Sequence, residues 1–261
     1  APAHSKVYFA GVGLSRYRSG PSLVNAASDI RAMVKALRLR FGEDLIVDTL
    51  LDEAATREAV LALGRRISRC QPEDAVLFFW SGHGSLEALT QSFYLQTYLS
   101  GPGHQYPEGL SVTDLNALLD ETPAQKKLLI VNACHAGENY SDLQAFKKMK
   151  TLFLDFRRSN GSTIISATGQ EDDAFSARDA GNSYLTLALL AALENRTFPL
   201  STRTITPDAD GNQRVSVSEL YRYLRDILQE KLLIDAEIRD LEKPAVPEMR
   251  QQNIELDFDV W

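Results

Sequence analysis

His83 and Cys134 carry the chemistry this sequence offers. His83 sits in "SGHGS", directly after the apolar run "AVLFFW", and Cys134 sits in "NACHAG", directly after "KKLLIV". A cysteine beside a histidine is a nucleophile with its base: the imidazole takes the thiol proton, and the thiolate attacks a carbonyl carbon. The oxyanion that follows needs fixed donors, and the main-chain N–H groups of Gly84 and Cys134 are candidates to supply them from turns. The glycines around both residues let the backbone turn sharply and let a substrate chain come close. Taken singly, each residue has a plainer reading. A histidine after a strand is usually a hydrogen-bonded loop residue, and a lone cysteine is usually a small core residue. His83 between two glycines and Cys134 among small residues, at the ends of two apolar strands, are better explained by catalysis.

The pair can meet only if the chain brings those strand ends together. Apolar runs predict strands over Val7 to Val12, Leu45 to Leu51, Ala75 to Trp80, Lys127 to Val131 and Ser162 to Ala167. Helical periodicity fills the intervals at Ser22 to Phe41, Glu53 to Cys70, Ser111 to Glu121, Ser183 to Glu194 and Ser218 to Lys231. Strands alternating with helices mean βαβ units, hence an α/β fold with a central, mostly parallel sheet flanked by helices on both faces. "VLFFW" and "LLIV" are apolar throughout, as central strands buried on both faces must be. Sites in such sheets form beyond the carboxyl ends of the strands. If the strands before His83 and Cys134 are parallel neighbours, the two side chains meet although 51 positions separate them.

No linker or repeat divides the chain, so the expectation is a single domain over residues 1–261. Residues 1–5 read as flexible, "RTFPLSTRTITPDADGNQR" as a surface loop, and residues 244–261 as a tail ending in an edge strand. The net charge of -7 argues against a nucleic-acid surface, which needs a basic face. No apolar run approaches bilayer length. The opening residues lack the basic-then-apolar pattern of a secretory signal, so the expectation is a reducing, cytoplasmic compartment with both cysteines as thiols. Cys70, in "RRISRCQPED", reads as a small residue at a helix end.

"SGHG" followed by "NACHAG" resembles the caspase-like cysteine peptidases, in forms nearer metacaspases and bacterial caspase homologues than animal caspases. Weaker likenesses extend over most of the chain: "VYFAGVG", "SLVNAASDIRAMVKAL" with Asp29 at the family's usual acidic position, "GLSVTDLNALLD", "STIISATGQEDDAFS" and "GNSYLTLALLAAL". The resemblance implies a caspase-like fold, His83 as general base, Cys134 as nucleophile, and protein or peptide substrates. It also implies a zymogen with an activating protease or regulatory protein as partner. The stretch "ENYSDLQAFKKMKTLFLDFRRSNGS" corresponds to a loop often cut on activation, and it offers Lys147, Lys148, Lys150, Arg157 and Arg158. Its helical periodicity gives the plainer alternative of a solvated helix face.

Two specificities stay open. Asn132, two before Cys134, stands where metacaspases carry Asp and caspases Gln. "GQEDDAF" offers Glu171, Asp172 and Asp173, and a buried Arg or Lys side chain needs a carboxylate partner. This favours cleavage after Arg or Lys with Asp172 or Asp173 as anchor, although such acids are often only a solvated loop. Against it, "SRYRSG" puts Arg16 and Arg18 where caspases keep an arginine for substrate aspartate, and Arg178 is a further cation. A pseudo-protease scaffold is a third reading, weakened by the presence of both His83 and Cys134, and a non-peptidase Cys/His enzyme is a fourth.

No cofactor is required by a Cys/His mechanism. Calcium is a secondary candidate: "DADGNQRVSVSE" spaces Asp208, Asp210, Asn212 and Glu219 as an EF-hand loop does. Gln213 replaces the glycine that loop needs, and no helix pattern precedes it. The alternative is a turn followed by a helix start capped by Ser216 or Ser218.

Overall fold

A computed structural model of the chain describes residues 5–86, 92–101, 108–135, 162–167, 181–238 and 258–261. Among the described residues, seven strands form the main sheet: β1 (Val7–Gly13), β2 (Leu45–Leu51), β3 (Ala75–Leu86), β4 (Phe93–Leu95), β5 (Leu110–Ser111), β6 (Lys126–His135) and β7 (Ser162–Ala167). Five of them pair in parallel in the order β2-β1-β3-β6-β7. β4 pairs antiparallel with the far end of β3, and β5 with β4. The expected α/β architecture is therefore present, with an antiparallel extension beside the end of β3.

Among the described residues, five α-helices cover the sheet: α1 (Ala26–Phe41), α2 (Arg57–Ile67), α3 (Val112–Asp120), α4 (Tyr184–Leu193) and α5 (Val217–Ile238). Successive residues of a strand face opposite sides, and β3 shows it. Phe78 and Trp80 pack with Val60 and Leu63 of α2 and Leu115 and Leu119 of α3. Leu77 and Phe79 pack with Ile30 and Met33 of α1, Leu185 and Leu189 of α4, and Leu220 and Leu224 of α5. Local chemistry sets the helix starts. Thr56 Oγ1 accepts from Ala59 N–H at 3.2 Å, and Ser111 and Asp114 form a reciprocal capping box.

α1 begins at Ala26, not at Ser22, and residues 21–25 form a loop. The helix lies hard against β1. A Cβ on Gly13 would stand 2.6 Å from the Ala26 carbonyl oxygen, so only glycine admits this approach. It brings Asp29 of α1 onto the sheet.

Two strand ends differ from expectation. β3 continues past Trp80 to Leu86, and β6 past Val131 to His135. His83 and Cys134 thus stand within strands, not in turns after them. The apolar runs end at Trp80 and Val131, while the hydrogen-bonded ladder between β3 and β6 goes on through residues that stay buried but are polar or small. The expected surface loop after Asn195 also contains a small antiparallel pair, β8 (Phe198–Pro199) with β9 (Thr204–Ile205). Of the tail, Phe258 to Trp261 hydrogen-bond to Val215 and Val217, and residues 239–257 lie outside the described set. Among the described residues, no helix is long and apolar enough to cross a membrane.

Candidate active site

The parallel register of β3 and β6 pairs Ser81 with Asn132 and His83 with Cys134. Neighbouring strands run about 4.8 Å apart, and paired positions share a face. For His83 and Cys134 that face is the one covered by α1 and α4.

The imidazole of His83 is completely buried. Its Nε2 lies 3.1 Å from the carbonyl oxygen of Pro21, in the loop before α1. A carbonyl can only accept, so Nε2 carries the proton and Nδ1 is the basic nitrogen. The His83 main chain is held on one edge of β3: its N–H donates to Tyr17 Oη at 2.7 Å, and its carbonyl accepts from Gln96 N–H at 2.9 Å. Strand alternation then turns the Gly84 N–H the other way, toward β6. Glycine at 84 answers to packing and not to a turn. A Cβ there would lie 2.4 Å from the Phe93 ring.

Below the pair lies a buried polar cluster. Asp29 is completely buried, and its Oδ1 accepts from Ser183 N–H at 2.9 Å while Oδ2 accepts from Ser81 Oγ at 3.0 Å. Asn132 Nδ2 donates to Ser183 Oγ at 3.0 Å and lies 3.4 Å from Ser81 Oγ and 3.5 Å from Asp29 Oδ2. Among the described residues, Asn132 Oδ1 has no hydrogen-bond partner, nor has Asn182 Oδ1, one residue before Ser183. Burial pushes the Asp29 carboxyl up to about 6, and the hydrogen bonds from Ser183, Ser81 and Thr186 work against that rise. The Asn132 and Ser81 donors of the cluster are spent within it.

Asp29 is the residue that motif reading undervalued. Its signal lies in the periodicity of α1. Ala26, Ile30, Met33 and Leu37 form the buried stripe, and an aspartate stands at a stripe position among them.

Other candidates are dispersed. Arg18 is exposed, and its main-chain N–H donates to the Tyr98 carbonyl at 3.0 Å. Arg16 pairs with Asp52 and Glu53. Glu171, Asp172, Asp173, Arg178 and the basic stretch at Lys147 to Lys150 lie outside the described residues. Asp208, Asp210 and Glu219 do converge, with ligand oxygens within 4.8 Å of one another. Gln213 adopts φ +69°, the conformation for which such a loop prefers glycine. Asn212 turns its amide to Asp210 Oδ2 at 3.0 Å. Glu219 Oε1 accepts from Ala209 and Asp210 N–H groups, and Oε2 from Ser216, whose Oγ caps α5.

Residues 12–256 match the family model described as the caspase domain. The chain belongs to the caspase-domain family. This caspase-domain chain also resembles a crystal structure of protein GSU0716 from Geobacter sulfurreducens, with 16% identity, 94% of this chain and 93% of that chain covered, and a TM-score of 0.56. At that identity the likeness concerns the fold. No curated protein matches the chain. Membership places it among cysteine peptidases, whose substrates are proteins.

Proposed function

We propose that the chain is a cysteine endopeptidase using His83 and Cys134 as a dyad and cutting protein substrates after Arg or Lys. The observation that carries this reading is the register that pairs His83 with Cys134, together with the Pro21 carbonyl that fixes the imidazole tautomer. In the reaction, the Cys134 Sγ proton moves to His83 Nδ1 and the thiolate bonds to the scissile carbonyl carbon. The carbonyl electrons pass to oxygen, and the Gly84 and Cys134 N–H groups, which the β3–β6 register engages in the strand ladder, would leave that ladder to stabilise the oxyanion. The oxyanion collapses, the C–N bond breaks, and the leaving amine takes the proton from His83. Water, deprotonated by His83, then attacks the thioester and releases the acid and the thiol. This sequence consumes no cofactor.

Preference for a cationic side chain rests on the cluster below the dyad. A guanidinium or ammonium only donates, and Asp29 with the spare Asn132 Oδ1 only accepts. An aspartate side chain would find acceptors facing acceptors, and Arg18, the cation that this alternative needs, is exposed. Asp172 or Asp173 remain proposed as outer anchors.

The acidic net charge speaks against a nucleic-acid surface, and the family resemblance supports a zymogen activated by a protease or a regulatory protein, proposed here as a cytoplasmic enzyme that binds no membrane. Calcium would be held by Asp208, Asp210 and Glu219, hard oxygen donors of the kind it takes, and would stiffen the loop before α5.

Peptides linked to a fluorogenic amine through Arg, Lys or Asp test the activity. Turnover of the Arg or Lys series by the wild type, lost in Cys134→Ala and reduced about 10²–10⁴-fold in His83→Ala, is expected. Turnover that survives Cys134→Ala would contradict the mechanism.

A further inference from the structure

We infer that Tyr17 is a positioning residue for the general base, holding the His83 main chain through its hydroxyl and lying against the imidazole through its ring. The inference rests on the dyad reading above.

The sheet leaves a gap at this point. β1 ends with Gly13 opposite Ser81, and antiparallel β4 ends with Leu95 opposite Gly84. Positions 82 and 83 of β3 therefore have no strand beside them on that edge. A buried N–H facing such a gap has no ladder partner and must find one elsewhere. Tyr17 Oη takes the place of the missing strand carbonyl, accepting from His83 N–H at 2.7 Å.

Gly82 makes room for it. A Cβ at that position would stand 3.0 Å from Tyr17 Oη. The segment that carries Tyr17 is itself pinned on both sides. Ser15 and Arg16 N–H groups donate to Asp52 Oδ1 at 2.8 and 3.0 Å, and Arg18 N–H donates to the Tyr98 carbonyl. The residue that spans the gap is thus fixed by contacts to either side of it.

The ring does a second thing. Its centroid lies 4.9 Å from that of the His83 imidazole, with the planes inclined by 32°. An aromatic face at that distance favours a cation over a neutral ring. When the Cys134 proton arrives on Nδ1, the imidazolium forms beside that face. Tyr17 thus has separable contributions, a hydroxyl that sets where the base stands and a ring that favours the thiolate–imidazolium pair.

Two readouts divide these contributions, both normalised to titrated Cys134 thiol. One is kcat and KM on a P1-Arg peptide. The other is the pH dependence of Cys134 alkylation by iodoacetamide, which follows the thiolate and needs no substrate. Tyr17→Phe keeps the ring and loses the hydroxyl: kcat falls about tenfold, KM stays within about twofold, and the acid limb of alkylation stays put. Tyr17→Leu loses both, and its limb moves to higher pH by about half to one unit. Gly82→Ala displaces the hydroxyl while keeping the ring, so it lowers kcat as Tyr17→Phe does, and the double variant is no worse than either single one. Tyr17→Phe with wild-type kcat, Tyr17→Leu with an unmoved limb, or additive losses in the double variant would overturn the inference. So would variants that lose only thermal stability. If Tyr17→Leu fails to fold, Gly82→Ala and Tyr17→Phe still decide the hydroxyl's part. Failure of the dyad itself is seen separately, as a wild-type limb unchanged by His83→Ala.

Discussion

Ser183 and Asp29 meet across 154 positions of sequence, the Ser183 main-chain N–H donating to Asp29 Oδ1 at 2.9 Å. Ser183 is the N-cap of α4, so the carboxylate sits at the positive end of that helix dipole. Helix and hydrogen bonds favour the anion, while complete burial opposes it and prevails, leaving the group titrating near 6. In the proposed specificity, a cationic substrate side chain would complete the pairing.

Asp29→Asn should therefore lower kcat/KM on P1-Arg peptides about 10²-fold or more, since a desolvated cation loses its partner. KM of the wild type should rise as pH falls through about 6, as the carboxylate takes up a proton. Stability should move the other way. Between 3.8 and about 6 the folded state binds more protons at this group than the unfolded chain, so wild-type stability falls as pH rises through that window. A shift of about two units corresponds to roughly 3 kcal/mol. Asp29→Asn lacks that loss, so denaturant melts should show it gaining on the wild type from pH 4 to pH 7. A wild-type/variant stability difference that does not change with pH would contradict the assignment.

Strand runs such as "VLFFW" and "LLIV" were legible because burial on both faces leaves no polar position in them. Their hydrogen-bonded continuation through "SGHGSL" and "NACH" was not, since a ladder needs only backbone and leaves no mark on side-chain type. β4 and β5 are too short to show alternation. The meeting of positions 83 and 134 followed from parallel neighbours ending at one edge. The groups that hold His83 did not follow, because Pro21 and Tyr17 act from a loop whose path carries no periodicity. Asp29 was visible as a polar residue on an apolar stripe, but what it faces is fixed by tertiary packing alone.

Glu219 gives a prediction about the loop before α5. Both its carboxylate oxygens accept hydrogen bonds, so Glu219→Gln should cost about 1–2 kcal/mol in denaturant melts run in EDTA. Calcium at about 1 mM should raise the melting temperature of the wild type and leave Asp208→Asn and Glu219→Gln unmoved. A wild-type melt indifferent to calcium removes the metal from the account.

With the proposed preference for Arg or Lys, the basic stretch around Lys147 to Lys150 would offer the enzyme a substrate in its own chain. Active preparations should contain two chains cut in that stretch, while Cys134→Ala should remain intact, as read by intact-mass spectrometry. A single uncut chain with full peptidase activity would exclude activation by cleavage there.

The most direct measurement is covalent capture of the nucleophile by a peptidyl chloromethyl ketone ending in arginine, followed by peptide mapping. The expected result is one adduct per chain, located on Cys134, absent in Cys134→Ala, strongly slowed in His83→Ala, and not formed by the matching reagent ending in aspartate. No adduct on Cys134, or equal capture by the aspartate reagent, would contradict the proposed enzyme and its specificity.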